Sequence, residues 1–447
     1  MALITNAIKG TLDTLPSSSY KIQYIEAAMR EIAENYGFYE MRTPVFEHTE
    51  LFQRSVGETT DVVQKEMYTF KDKGDRSITL KPEGTAGAVR AFLEHGLFNE
   101  AMPQKIYYVT PCYRYEKPQA GRLREFHQFG VECFGAGSAA QDAEIILLAN
   151  EVFNYLGVNN ISLEINSIGC PECRKKYQEA LKEYFKANYD ALCDTCKGRL
   201  EKNPMRILDC KSPVCSKIAE KAPKILDYLC EDCNEHFELV KKYLTANNID
   251  FKVNPTIVRG LDYYTRTVFE FVSNEIGAQG TVCGGGRYDG LVEEMGGKPT
   301  PACGFALGLE RLMLLMETQK TEFPERKKCD LYIASMGEQA NIKASALATD
   351  LRNEGLSAQF DTVGRSVKAQ MKYADKIGAL YTVVLGDSEL ESGRAVLKNM
   401  SDGTQAEIEL ADFTDNFQSI VIKQAMDSLD GYGIEGLEIT DILGGQN

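Results

Sequence analysis

Eight of the thirteen cysteines lie between Cys170 and Cys233, and this clustering constrains the fold more than any other feature of the sequence. They form four close pairs: Cys170/Cys173, Cys193/Cys196, Cys210/Cys215 and Cys230/Cys233. Because the first residues, MALITNAIKG, do not resemble an export signal, the pairs indicate metal ligands or free thiols rather than disulfides. Their spacing suits two four-thiolate zinc sites. Free thiols are the alternative, and both interpretations stay open here.

The segment that carries the pairs, residues 170–250, is rich in lysine and glutamate and differs from the sequence on either side. Strand-like patterns resume at 255–283, so this segment predicts a mostly helical insertion within an α+β domain, 1–325. After the linker FPERKKCD, strands and helices alternate over 328–425, which predicts a small α/β domain. An acidic, glycine-bearing tail, 426–447, receives no role.

Composition narrows the class of protein. A length of 447 residues predicts two or three structural units. The net charge of −15 argues against nonspecific coating of nucleic acid, although a local basic patch is compatible with it. No apolar run approaches transmembrane length, and the N-terminus lacks the apolar core of a signal peptide. We therefore expect a cytoplasmic enzyme or binding protein with no membrane attachment.

Two strand-like runs, 105–116 and 123–135, are joined by the polar loop KPQAGR and predict an antiparallel hairpin. Strand alternation places polar and charged side chains on one face, while apolar residues between them supply a core side. A solvated polar face is the alternative, but the existing core side favours a surface that meets a ligand. The residues predicted on this face are Arg114, Glu116, Arg124, Phe126, Gln128 and Glu132.

Three further motifs lie downstream. VRGLDYYTRTVFEF (258–271) has the composition of a buried strand but carries Arg259, whose charge needs a partner when it is desolvated. TVCGGGRYDGL (281–291) is not a Walker loop, and its glycines indicate close approach to a small ligand or a tight turn. In GFALGLERL (304–312), Arg311 is either a ligand contact or a surface arginine.

Taken in order, these motifs are recognisable. RTPVFEHTELFQRSVGETTDVVQKEMYTF is followed by LKPEGTAG, PCYRYEKPQAGRLREFHQFGVE, VRGLDYYTRTVFEF, CGGGRYDGL and GFALGLERL. With this spacing the chain resembles the histidyl-tRNA synthetases, a family of class II aminoacyl-tRNA synthetases, over roughly residues 8–425. RGLDYY combined with GGGRYDGL resembles the histidine branch in particular.

The resemblance implies a fold and an activity. The implied fold is an α+β catalytic domain built on a mixed, largely antiparallel sheet, with a helical insertion and a C-terminal α/β anticodon-binding domain. The implied activity is ATP-dependent activation of L-histidine to histidyl-adenylate and its transfer to tRNA(His). ATP and Mg²⁺ form the substrate complex, and structural zinc is an additional candidate. Because the Pro44 region resembles the class II dimer element, we expect a homodimer.

The resemblance also implies residue roles. Arg114 and Arg259 are the implied catalytic residues, holding the histidine carboxylate and the α-phosphate, where an arginine fork can grip two oxygens. Loss of Arg259 is expected to abolish most adenylation while leaving the fold intact. Among the implied histidine-binding residues, Glu83, Thr85 and Gln128 hold the α-amino group, and Glu132 and Tyr264 contact the imidazole. Gly84 and Tyr263 belong to the same motifs and are also implied to bind histidine. For Glu83 and Thr85, helix N-capping is the alternative.

For ATP, the implied residues are Arg114, Glu116, Arg122, Phe126 and Arg311: Phe126 would stack on adenine, and Arg122 and Arg311 would reach the terminal phosphates. Gln119, in the hairpin loop, resembles the element that touches the acceptor end of tRNA. In the second domain, Lys368, Lys372 and Lys376 follow one face of a predicted helix, which indicates phosphate contact or a solvated surface.

Two other functions are alternatives to the implied ligase activity. A non-catalytic, histidine-sensing paralogue that serves as a regulatory subunit of ATP phosphoribosyltransferase can lack the anticodon domain and the catalytic arginines, whereas this chain has both. A sensor of uncharged tRNA normally accompanies a kinase, and no kinase signature is found.

Overall fold

The computed structural model of the chain describes residues 4–57, 60, 62–208, 210, 212–258, 261–277 and 280–430, with side chains to residue 423. Arg259 and the tail beyond residue 430 therefore lie outside the described residues. The chain divides into two compact units, Met1–Pro324 and Glu325–Asn447. Over the described residues, no helix is both long enough and apolar enough to span a membrane.

The first unit contains strands and helices over most of its length. In chain order the strands are β1 (Tyr39–Glu40), β2 (Phe46–His48), β3 (Tyr68–Lys71), β4 (Ser77–Leu80), β5 (Gln104–Tyr113), β6 (Glu125–Phe134), β7 (Ser162–Ser167), β8 (Lys252–Val253), β9 (Thr265–Val272), β10 (Thr281–Arg287) and β11 (Ala302–Gly308). The helices are α1 (Ser19–Asn35), α2 (Thr49–Val56), α3 (Thr85–Glu94), α4 (Ala139–Tyr155), α5 (Pro171–Lys186), α6 (Asp194–Lys202), α7 (Pro213–Ala219), α8 (Glu231–Ala246), α9 (Leu291–Glu294) and α10 (Leu309–Gln319).

Most of these strands form one mixed sheet in the order β1-β5-β6-β11-β10-β9-β7-β8. The outer pairs β1–β5 and β7–β8 are parallel, and the pairs between them are antiparallel. A smaller sheet has the order β2-β4-β3. The predicted mixed, largely antiparallel sheet is thus confirmed, as is the hairpin, whose strands β5 and β6 pair over their full length.

Glycines allow the central strands to pack closely. A Cβ on Gly285 would lie 2.2 Å from the carbonyl oxygen of Gly304, and one on Gly304 would lie 2.0 Å from a carboxylate oxygen of Glu132. Because such contacts are shorter than real Cβ contacts, neither position can carry a side chain without moving its neighbours. Gly284–Gly286 lie within β10 and not in a tight turn, whereas Gly290 of the same motif lies in the turn that follows the strand.

One hydrophobic core lies between the large sheet and helices α1 and α4. Helices α1 and α4 bury Ile25, Met29 and Ile146 against Phe129 and Phe305 of the strands. Apolar positions recur at helical spacing in α1, which is why this segment buries one face only. On the opposite side, α3 and the insertion pack against Tyr108, Phe134 and Val268 of the strands in a second hydrophobic core, beside the polar residues of the hairpin.

The insertion, α5 to α8, leaves the sheet after β7 and returns at β8, and the prediction that it is mostly helical is confirmed. The strand predicted from residue 258 begins only at Thr265. Residues just before it are held by other elements: the Asp262 N–H donates to the Val56 carbonyl at 3.3 Å, and Arg174 of α5 donates to the Tyr264 carbonyl at 3.0 Å. These contacts turn the segment out of the sheet.

The second unit is a five-stranded sheet flanked by helices. Its strands are β12 (Leu331–Ser335), β13 (Ala358–Phe360), β14 (Tyr381–Leu385), β15 (Arg394–Asn399) and β16 (Gln405–Glu409), in the order β13-β12-β14-β15-β16. Its helices are α11 (Glu338–Asn353), α12 (Val367–Lys376), α13 (Asp387–Ser392) and α14 (Phe413–Asp430). The predicted α/β alternation is confirmed. On α12, Lys368, Lys372 and Lys376 are exposed, whereas Ala374 is buried.

Candidate active site

A cavity of about 570 Å³ opens on the polar side of the large sheet in the first unit. Its volume falls within the range of small-molecule sites. The hairpin, the start of α3, the segment before β9 and the start of α10 all contribute to its wall. The predicted site residues that line it are Glu83, Thr85, Arg114, Glu116, Arg122, Phe126, Gln128, Tyr263, Tyr264 and Arg311.

Arg114 follows the end of β5 and is oriented from both sides. Its Nε donates to the Pro82 carbonyl at 2.9 Å, and its guanidinium lies 5.3 Å from the centre of the Phe126 ring. One terminal nitrogen lies 3.8 Å from a carboxylate oxygen of Glu116. Because Nε is already held by backbone, the terminal nitrogens are fixed in the cavity wall, which is the arrangement that an oxyanion requires.

Two further arginines line the same wall. Arg122 forms an ion pair of 2.6 Å with Glu116. Arg311, near the start of α10, donates from Nε to the Gly121 carbonyl at 3.1 Å and from a terminal nitrogen to the Thr281 carbonyl. Burial and the neighbouring arginines lower the pKa of Arg311 from its ordinary value. Three guanidinium groups on one part of the wall favour an anionic ligand there, although the cavity is also lined by carboxylates, namely Glu83, Glu116, Glu164, Glu270 and Glu310.

Glu83 and Thr85 stand at the start of α3. The Glu83 carboxylate accepts hydrogen bonds from the N–H groups of Thr85 and Ala86 at 2.7 and 2.8 Å, so this residue does cap the helix N-terminus. Burial raises the pKa of Glu83 from its ordinary value, and these hydrogen bonds oppose the rise. Gln128 accepts from the Gly84 N–H at 3.2 Å, which ties β6 to the same corner of the cavity.

Glu132 is 1% exposed and lies behind the cavity wall rather than among the lining residues. Its carboxylate accepts hydrogen bonds from the hydroxyls of Thr85 at 2.7 Å, Tyr108 at 2.9 Å and Tyr288. Burial raises the pKa of Glu132 to about 8, although the three hydroxyls act in the opposite direction. A direct contact between Glu132 and the histidine imidazole therefore stays a prediction.

Tyr263 and Tyr264 form an aromatic wall with Tyr288. The Tyr263 ring centre lies 4.6 Å from that of Tyr264 and 5.4 Å from that of Tyr288. Burial raises the pKa of the Tyr263 hydroxyl well above its ordinary value, so it stays a neutral donor and acceptor. A flat, polar-edged ring fits between such groups.

Sequence reasoning missed Tyr108 and Tyr288 as partners of Glu132, and it missed Glu164, Glu270 and Glu310 as further carboxylates in the cavity. Tyr288 lies within the glycine-rich motif at 281–291 and Tyr108 lies on the predicted hairpin, so both belong to segments that the sequence had already identified. Glu270 alternates with buried residues along β9 and lines the cavity, where it accepts from Thr281 at 2.7 Å.

Besides Glu132, two predicted residues that the structure describes are not among those that line the cavity. Gln119 lies in the hairpin loop, where its backbone pairs with that of Arg122. Gly84 contributes backbone, and a Cβ there would lie 2.2 Å from the Tyr108 ring.

This chain matches family models, relatives and a solved structure over most of its length. The model described as "Histidyl-tRNA synthetase" matches residues 10–312, and that described as "Anticodon binding domain" matches residues 330–420. A histidine–tRNA ligase of Clostridium novyi is 59% identical over 93% of this chain and 99% of its own length. One of Acetivibrio thermocellus is 58% identical over 91% and 98%.

Two solved structures resemble this chain over most of its length. Apo histidyl-tRNA synthetase of S. aureus is 41% identical, with a TM-score of 0.80 over 93% of this chain and 100% of that one. A Bacillus halodurans protein described as an ATP phosphoribosyltransferase regulatory subunit/histidyl-tRNA synthetase is 22% identical, with a TM-score of 0.60 over 86% of this chain and 99% of that one. That second likeness shows a shared fold alone.

Proposed function

The chain belongs to the histidyl-tRNA synthetase family, and from this premise we propose how its cavity performs the reaction of the family. The enzyme activates L-histidine with ATP to histidyl-adenylate and transfers the histidyl group to tRNA(His). In the first step the histidine carboxylate attacks the α-phosphorus of ATP. Two anions must approach each other while negative charge grows on the phosphate oxygens, so preorganised cations dominate the catalysis.

The observation that carries the proposal is the fixed position of Arg114. Its Nε is anchored on Pro82, and its guanidinium spans the space between Phe126 and Glu116. From there its terminal nitrogens hold the histidine carboxylate and the α-phosphate in contact. By resemblance, Arg259 acts with it on the same oxygens.

Histidine binds at the corner formed by α3 and β6. Glu83, Thr85 and Gln128 surround its α-amino group, and Tyr263 and Tyr264 face its ring. Glu132 acts from behind this wall, through the Thr85 hydroxyl that it accepts from. An amino acid with an apolar side chain would leave these buried polar groups without partners and is rejected for that reason.

ATP occupies the other half of the cavity. Phe126 stacks on adenine, and Arg122 and Arg311 bind the terminal phosphates. The phosphate oxygens then replace the Glu116 carboxylate at Arg122 and the Gly121 carbonyl at Arg311. The carboxylates of Glu116 and Glu270 suit Mg²⁺, which takes carboxylate oxygens together with substrate phosphates. When bound, the ion would neutralise part of the triphosphate charge.

The remaining proposals concern partners. The α/β unit binds the anticodon arm, with Lys368, Lys372 and Lys376 of α12 facing tRNA phosphates, while Gln119 meets the acceptor end. The region around Pro44 forms a homodimer interface, which the high exposure of Tyr39 (72%) and Phe46 (57%) supports. Because tRNA is charged where protein is made, the cytoplasm is the proposed location.

Histidine-dependent exchange of pyrophosphate into ATP tests the proposed role of Arg114. Arg114→Ala should lower the exchange rate about 10²–10³-fold. The matched control is Arg124→Ala on the same hairpin, whose guanidinium instead lies 4.1 Å from the centre of the Tyr115 ring. This control should keep exchange near the wild-type rate. Equal exchange in wild type and Arg114→Ala would contradict the assignment.

A further inference from the structure

The eight clustered cysteines come together as two sets of four. Cys170, Cys173, Cys230 and Cys233 form the outer set, and Cys193, Cys196, Cys210 and Cys215 form the inner set. Within each set all the sulfur atoms lie within 4.8 Å of one another. The sequence spacing left open which pairs combine; the fold joins the first pair to the last and the second to the third.

The separations between sulfur atoms suit a single tetrahedral ion. Cys170 and Cys173 are 3.5 Å apart at sulfur, and Cys193 and Cys210 are 3.9 Å apart. Four thiolates at about 2.3 Å from a zinc ion are about 3.8 Å from each other. All eight cysteines are free, and disulfide sulfurs would be only about 2 Å apart. A cluster of several irons and sulfides would force the four sulfurs further apart.

The backbone favours thiolates at these positions. The second cysteine of every pair is the third residue of a helix: Cys173 in α5, Cys196 in α6, Cys215 in α7 and Cys233 in α8. Backbone N–H groups also donate to sulfur, from Cys230 to Cys173 at 3.1 Å and from Cys193 to Cys215 at 3.3 Å. Partial positive charge from N–H groups at the start of a helix stabilises a thiolate.

We propose that each set binds one Zn²⁺ through four cysteine thiolates, and that the two ions position the substrate-binding segment 261–264. A tetrahedral site of four sulfurs is typical of structural zinc. Each ion replaces four thiol protons, which pass to solvent, so no oxidant or reductant takes part.

The positioning role follows from two arginines of the insertion. Arg174 directly follows the outer-set ligand Cys173 and donates to the Tyr264 carbonyl at 3.0 Å. Arg206 lies between the two halves of the inner set and donates to the Asp262 carboxylate at 2.9 Å. Both contacts hold the segment that carries Tyr263 and Tyr264 into the cavity. Leu208, two residues beyond Arg206, itself lines the cavity.

Metal content tests the binding proposal without any assay of activity. The full chain, purified under reducing conditions, is analysed for zinc and iron by mass spectrometry. We expect two zinc ions per chain, about one in Cys173→Ser and about one in Cys196→Ser. The matched control is Cys329→Ala, which removes a buried cysteine of the second unit and should keep both ions.

Titration of the native chain with a mercurial covers the case in which a cysteine variant fails to fold. Zinc should be released as the thiols react, two ions for eight thiols. Iron in place of zinc, disulfides within the sets, or eight reactive thiols with no metal would each overturn the proposal.

The positioning step rests on the proposed histidine-binding role of the tyrosines, so it has its own measurement. Arg206→Ala should raise KM for histidine about tenfold, with a smaller change in kcat and in KM for ATP, and should keep two zinc ions. The control is Lys186→Ala at the end of α5, whose exposed ammonium lies 4.0 Å from Glu201, and it should leave KM for histidine unchanged. An unchanged KM in Arg206→Ala with two zinc ions bound would refute the positioning role alone, whereas absent zinc would refute both the metal sites and positioning by the ions.

Discussion

Replacing Glu132 by glutamine probes the buried carboxyl behind the cavity wall. Glu132 is 1% exposed, and burial raises its pKa to about 8 despite three hydroxyl donors. It therefore holds a proton at neutral pH in the folded chain. Glutamine has nearly the same shape as the protonated carboxyl but cannot ionise, so Glu132→Gln removes the titration and little else.

The sign and size of the effect follow from the two pKa values. An unfolded glutamate ionises near pH 4.3, whereas Glu132 ionises in the folded chain at about pH 8, so folding takes up a proton between these values. Its contribution to stability is complete below about pH 4.3 and falls by about 1.36 kcal/mol for each pH unit up to about pH 8. Between about pH 5 and pH 8, wild type should lose about 3–4 kcal/mol relative to Glu132→Gln.

Native-state hydrogen exchange of β6 measures this difference within the intact chain. The ratio of exchange rates, wild type over Glu132→Gln, should rise roughly 150- to 900-fold between about pH 5 and pH 8, because each 1.36 kcal/mol is tenfold. Glu125→Gln makes the same replacement on the same strand, where the carboxylate accepts from the Tyr113 hydroxyl at 3.2 Å. It controls for the amide itself. A ratio for Glu132→Gln that stays constant with pH would refute the inference of a protonated, buried carboxyl.

Two further predictions concern ATP and the dimer. Phe126→Ala should raise KM for ATP about tenfold in pyrophosphate exchange, since stacking of a base on an aromatic ring is worth about 1–3 kcal/mol. Phe126→Tyr keeps the ring and should leave KM for ATP unchanged. An unchanged KM in the alanine variant would contradict the adenine site. Phe46→Asp should yield monomers in sedimentation velocity, because it places a charge on an apolar surface. Val396→Asp, at an apolar position of similar exposure in the second unit, should leave the dimer intact, and a dimeric Phe46→Asp would contradict the proposed interface.

Local sequence patterns predicted the elements of the fold well. Helical spacing of Ile25, Met29 and Ile32 identified α1, and strand alternation identified β5 and β6, because these patterns depend on neighbours a few residues away. The start of β9 was misplaced. Residues 258–264 have strand composition, but contacts from Val56 and Arg174, far away in the sequence, hold Asp262 and Tyr264 outside the sheet.

The candidate site was predicted residue by residue only through the family resemblance, although the hairpin face could be read from alternation. What the sequence could not show is pairing across the fold. Glu132 meets Thr85, Tyr108 and Tyr288 from three other elements, and no spacing in the chain encodes that meeting. The capping role of Glu83 is local, and it was weighed correctly as an alternative.

The sulfurs of Cys170 and Cys173 meet those of Cys230 and Cys233, so the part of the insertion between these pairs starts and ends at one place. A segment whose two ends lie together need not displace the neighbouring strands when its length changes. Residues could be gained or lost along its outer course at an entropic cost that grows only slowly with length, without shifting the register of β7 against β9. Arg174 and Arg206 contact the active-site segment, so we expect the number of residues in the insertion to vary only away from these two arginines.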